Sequence, residues 1–168
     1  AKLEKADLSN ASLKKAKRRR ADLAKSKLTN AELKRANLSS ANLEEANLYK
    51  ASLISAKLRK TDFTRAYLKN ADLKKANLNS AVLSGANLRN TNFFRADLTR
   101  ANLSNSDLTG SNLSNSDLSY ANLKNANLSK ANLSGANLYG LSGTKLFSCP
   151  ESLPEDWQCN SEKYLLKL

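Results

Sequence analysis

The residues that could do chemistry in this chain are few, and the gaps among them are as informative as the residues themselves. There is no histidine among 168 residues, and the two cysteines, Cys149 and Cys159, stand ten apart near the C-terminus. Two thiolates without histidine fall short of the four ligands of a tetrahedral zinc site, so the pair keeps two readings. A disulfide would close a small loop and stabilise it by about 2–4 kcal/mol, whereas two reduced thiols suit a cytosolic protein. No Gly-rich phosphate loop is present, and neither cysteine stands near a plausible base, so no catalytic, cofactor or metal residue is named and no enzyme is expected. The acids Asp7, Asp22, Asp62, Asp72, Asp97, Asp107 and Asp117 share one kind of position with asparagines. A carboxylate needed for proton transfer would not be exchangeable with an amide, so these read as surface or turn-supporting groups. What remains is basic charge, 28 Lys and Arg against 15 Asp and Glu for a net +13. Such a balance points to an anionic partner or to plain solubility.

A repeat positions these side chains. Residues 1–140 divide into 28 consecutive pentapeptides without insertion or deletion. The third residue is Leu in 25 of the 28, the exceptions being Arg18, Phe63 and Phe93. The first is Ala in 22, replaced only by the small residues Ser26, Thr61, Thr91, Ser106, Ser111 and Ser116. The second is most often Asn or Asp, and the fourth and fifth are polar or charged and face outward. A period of five matches neither the 3.6 of a helix nor the 2 of a strand. A coil that turns a corner in each pentapeptide keeps every Leu inward, and its backbone groups can pair with the coils above and below.

Runs such as Ala36-Asn37-Leu38-Ser39-Ser40 and Ala101-Asn102-Leu103-Ser104-Asn105 resemble the pentapeptide repeat proteins, whose pattern is A(D/N)LXX. The resemblance covers 140 of the 168 residues and implies an all-β fold, a right-handed quadrilateral parallel β-helix with four pentapeptides per coil. Seven coils follow, making a rod about 34 Å tall at a coil spacing of about 4.8 Å. Arg18 stands at a core-centre position, and the expectation is that it snorkels out of the open first coil. Phe63 and Phe93, each following a Thr at the small position, read as core packing.

Wound four units to a coil, the faces carry net charges of 0, +3, +5 and +6 in order. The third holds Lys14, Lys15, Lys34, Arg35, Lys74, Lys75 and Arg95, with Ile54 and Phe94 expected exposed among them. The fourth holds Lys17, Arg19, Arg20, Lys57, Arg59, Lys60 and Arg100. These two adjacent faces are the candidate anion-binding surface, for nucleic acid or an acidic protein. The alternative is a solvated coat that keeps an Ala/Leu rod from aggregating. Few aromatics lie within the basic band, since Tyr49 and Tyr67 fall on the second face. Residues 1–100 carry 23 basic and 9 acidic groups, and residues 101–140 carry two of each. That shift marks a fusion or, as we prefer, local drift.

Residues 141–168 break the repeat and hold both prolines, both cysteines and the single Trp. A last coil exposes leucines and strand edges, so a cap is required. Leu153, Phe147, Trp157, Tyr164 and Leu165 can supply its apolar face, and Pro154, Glu155 and Asp156 after Ser152 suggest a short helix. The cap is therefore expected to be partly helical. The first coil has no equivalent, so either residues precede Ala1 or that end stacks on another molecule, allowing end-to-end self-association. Apolar stretches of two or three residues leave no membrane span or signal-peptide core. The compartment stays open, with the cytoplasm as default and an oxidising one if the cysteines are bridged. The resemblance implies a structural or protein-interaction module, a type widespread in cyanobacteria. It also raises mimicry of duplex DNA toward topoisomerases, which the positive charge opposes.

Overall fold

The backbone of each pentapeptide has five N–H groups to satisfy, and the coil satisfies them by a rule that explains the sequence. The structure is a computed structural model and describes residues 2–17, 19–141 and 143–168, so the expectation for Arg18 lies outside the described residues. In a representative unit the N–H of Ala6 donates to the Leu3 carbonyl at 3.1 Å, closing a β-turn. The second-position N–H reaches the coil before, as Lys27 does to Ala6, and the third- and fifth-position groups reach the coil after, as Leu3 does to Asp22 and Lys5 to Ala24.

The fourth-position N–H has no backbone partner, and the side chain of the second position takes it. All 19 Asn and Asp residues there accept this bond through Oδ1, at 2.8–3.3 Å. Both residue types carry the oxygen, which is why amide and carboxylate interchange: the bond is an Asx turn. The acids support turns, as their positions indicated.

Parallel bridges join each second position to the one 20 residues on, from Lys2 with Asp22 to Asp117 with Asn137. Four bridges per 20 residues make a four-sided β-helix, held by single-residue bridges rather than long strands. The corners demand a left-handed residue. The non-glycine fifth positions have φ between 53° and 60°, a region that disfavours branching at Cβ. No Val, Ile or Thr occupies a fifth position anywhere in the repeat, although Thr stands at the fourth in Thr29, Thr64, Thr99 and Thr109.

Inside, the third-position residues from Leu23 to Leu138 form one buried stack, with Phe63 and Phe93 fully enclosed as core packing. The small first positions pack beside them. Thr61 and Thr91 donate their hydroxyls to the carbonyls of Leu38 and Leu68 at 2.8 and 2.9 Å. Ser26, Ser106 and Ser116 donate to the leucine three residues earlier at 2.6–2.7 Å. Ser111 Oγ alone is buried without a partner among the described residues. An orphaned hydroxyl costs more than the alanine that replaces it. Ser111→Ala should therefore raise stability by about 1 kcal/mol and Ser116→Ala should not, a contrast that urea unfolding of the two variants would read.

The cap is a correction to the expected helix. Residues 145–152 run over the last coil, with Asn127 bridged to Ser148 and Asn132 to Ser152. The chain then turns, the N–H of Trp157 donating to the Pro154 carbonyl at 3.0 Å, into a hairpin of β1 (Trp157–Cys159) and β2 (Leu165–Lys167). Only a few residues separate the last bridge at Ser152 from the strand, too few to repay helix nucleation. Cys149 and Cys159 are bonded as a disulfide, with Cα atoms 5.9 Å apart. Trp157 and Leu165 are buried, with Leu153 partly so, but Phe147 is 63% exposed and lies under the Lys163 ammonium instead of in the cap core.

Candidate anion-binding surface

Charge on this rod is sorted by face, and the ion pairs show it. Seven pairs lie within the repeat among the described residues, and six belong to the first two faces. Arg65 reaches both Glu44 and Glu45, at 2.7 and 2.9 Å; Lys25 meets Glu45, Lys5 meets Glu4, Lys27 meets Asp7, and Arg89 meets Asp107 at 3.0 Å. Burial pushes the Asp107 carboxyl up, but hydrogen bonds from Thr109 and Arg89 outweigh it and hold the group below the usual carboxylate range. The third face has one pair, Lys14 with Glu32, and the fourth has none among the described residues. Its acids Asp97 and Asp117 are engaged in Asx turns with Thr99 and Ser119.

Ten of the fourteen predicted residues line three hollows, Lys17 not among them. Lys14, Lys15, Lys34 and Arg35 line one of about 280 Å³ on the third face. Arg19, Arg20, Arg59 and Lys60 surround a floor of Ser39 and Ser40 in one of about 300 Å³ on the fourth. A third, of about 490 Å³, wraps the corner between the two faces and takes in Arg19, Lys57, Arg59 and Lys75. Lys74 and Arg95 sit apart from these, flanking the Phe94 ring at 5.4 and 5.1 Å. Ile54 and Phe94 are half-buried rather than exposed. Arg100 stands away from the hollows, 6.0 Å from the Tyr120 ring.

The fourth face alternates by coil. Lys17, Arg19 and Arg20 are followed 20 residues on by Asn37, Ser39 and Ser40, then by Lys57, Arg59 and Lys60, then by Asn77, Asn79 and Ser80. Like charges stacked in adjacent coils would repel, and the neutral coil between them leaves room for an anion to enter. Lys17 and Lys57 occupy second positions, where an Asn would have satisfied the turn, so these charges stand in place of a hydrogen bond.

Two functional candidates escaped the sequence reading. Tyr120 and Tyr139, 54% and 62% exposed, meet edge to face with centroids 5.2 Å apart at the far end of the fourth face. They lie in coils past the dense charge, so a search for aromatics inside the basic rows passes them by. Contact with the Tyr139 hydroxyl pushes the Tyr120 phenol up, with Arg100 opposing weakly.

A β-helix with a 20-residue coil and a five-residue corner repeat defines a class of solenoid. Within it, this chain belongs to the pentapeptide repeat family: a model of pentapeptide repeats matches residues 1–30 and 106–140 in 8 copies, and a model of a pentapeptide repeat region matches residues 26–103. Among solved structures, HetL, a pentapeptide repeat protein involved in heterocyst differentiation regulation from the cyanobacterium Nostoc sp. strain PCC 7120, is 32% identical. The match covers 86% of this chain and 89% of HetL, with a TM-score of 0.46. QnrB1, a plasmid-mediated fluoroquinolone resistance protein, shares the fold at 19% identity and a TM-score of 0.55, over 86% of this chain and 79% of its own. A pentapeptide repeat protein of the Arabidopsis thaliana thylakoid lumen is 28% identical over 52% of this chain and 61% of its own, with a TM-score of 0.35. No curated protein sequence matches the chain.

Proposed function

We propose that this chain is a non-enzymatic interaction solenoid whose third and fourth faces dock an anionic macromolecule. The observation that carries the reading is the sorting of ion pairs: five of the ten cations on the first two faces meet an acid, whereas of the fourteen predicted cations on the other two only Lys14 does. A coat serving solubility alone would have no need to spare two adjacent faces from pairing. Residues 1–140 are the working rod and residues 141–168 its lid. Mimicry of duplex DNA is set aside, because it needs a strongly negative surface and this chain carries +13.

The bonded cysteines favour an oxidising compartment over a reducing cytosol.

Retention on phosphocellulose across a salt series tests the reading. Changing Lys74 and Lys75 to Ser should lower the eluting salt clearly, and the same change at Lys124 and Lys130 on the first two faces should lower it much less. Equal effects from the two pairs would reduce the attraction to unspecific charge and sink the proposal.

A further inference from the structure

We infer that the fourth face is a track for single-stranded nucleic acid, an inference that rests on the anionic-partner reading above and names its ligand. The fifth positions of this face run Arg20, Ser40, Lys60, Ser80, Arg100, Tyr120 and Gly140 along the rod. Cations thus recur every second coil, about 9.6 Å apart, with serine gaps between them. The fourth positions beside it, Arg19, Ser39, Arg59 and Asn79, follow the same alternation, so the basic strip is two side chains wide. That width suits a single phosphodiester strand laid along the axis.

The column ends on aromatics. Arg100 lies 6.0 Å from the Tyr120 ring, and Tyr120 and Tyr139 leave more than half of each side chain in solvent. Gly140 makes this possible: a Cβ there would stand 2.8 Å from the Tyr120 ring, so any other residue would push it aside. A cationic groove leading to exposed aromatics is how proteins hold unpaired strands, phosphates on the charges and bases on the rings. A duplex keeps its bases stacked inside and has no use for the tyrosines. An acidic protein surface would answer the arginines and leave the rings idle. The distance from the Arg20 coil to the Tyr139 coil is six coil steps, about 29 Å, room for a short strand only.

The test is fluorescence anisotropy with labelled oligothymidylate and oligouridylate, a duplex of matched length, and polyglutamate as competitor, on the whole chain. Single strands should bind more tightly than duplex. The log–log salt slope should lie near −3.5, as for about five phosphates neutralised on a single strand. Joint change of Tyr120 and Tyr139 to Ala should weaken single-strand binding about tenfold or more without altering that slope. Tyr120→Phe with Tyr139→Phe should restore it. Changing Arg20, Lys60 and Arg100 to Ser should instead flatten the slope. All these side chains are at the surface, and circular dichroism of each variant confirms its coil. Wild-type affinity in the double Ala variant, or duplex bound as well as single strand, overturns the inference. So does tighter binding of polyglutamate, which would make the partner an acidic protein. Retention on phosphocellulose without single-strand binding would overturn this inference and leave the anionic-partner reading standing, whereas failure of both removes both.

Discussion

Replacing Phe63 by Ala is expected to destabilise the rod by about 3–5 kcal/mol, the range for truncating a buried aromatic in a packed core. Phe63 is 0% exposed and stands in the third-position stack between Leu43 below and Leu83 above. Its own N–H and the Ala66 N–H that closes its turn tie that coil to the next and to itself, at 2.7 and 2.9 Å. A solenoid coil touches only its two neighbours, so the cavity cannot be filled by rearrangement elsewhere along the rod. Phe63→Leu should cost much less, near 1 kcal/mol, because leucine already fills this position in 25 of the 28 units. Phe94→Ala is the control, since that ring is half-buried between Lys74 and Arg95 on the outside. Urea unfolding followed by circular dichroism separates the three. A loss below about 1 kcal/mol for Phe63→Ala would mean that the ring does not fill the core.

The same periodicity that makes Phe63 predictable made most of the rod legible. A five-residue register held through 28 units leaves no choice about which side chains share the core, and the four units per coil that the family resemblance implied then set which column each charge occupies. The role of Asp and Asn at the second position was legible as turn support, though not the bond itself, because the orphan N–H two residues on is visible only when the backbone is counted in three dimensions. The left-handed fifth position was written as an absence, the lack of β-branched residues, and absences are hard to read without knowing the corner geometry. Tyr120 and Tyr139 were hidden for a different reason. They join the basic column only through the 20-residue winding, and in sequence they sit in its least charged part. The cap was the part misread: Pro154, Glu155 and Asp156 are ordinary first-turn helix residues, and what overrode them was tertiary, a disulfide and a hairpin that must lie flat across a four-sided end.

Loss of that disulfide is expected to take about 3 kcal/mol from the cap, the loop-closure value for a ring of this size. The hairpin has only three residue pairs, Trp157 with Lys167, Gln158 with Leu166 and Cys159 with Leu165, and a two-stranded hairpin is marginal alone in water. Cys149 lies between Ser148 and Ser152, the residues bridged to the last coil, so the bond to Cys159 fastens β1 to chain already anchored on the rod. Without it, Trp157 and Leu165 can lift away and expose the last-coil leucines Leu128, Leu133 and Leu138, together with an open row of backbone groups. The chain joining Cys149→Ala and Cys159→Ala should therefore show an early thermal transition in near-ultraviolet circular dichroism, where Trp157 is the single indole, while the coil signal persists to higher temperature. Light scattering should rise across that first transition as exposed ends associate. A single transition at the wild-type temperature, with no association, would mean that the hairpin holds the lid unaided and that the bond adds nothing to it.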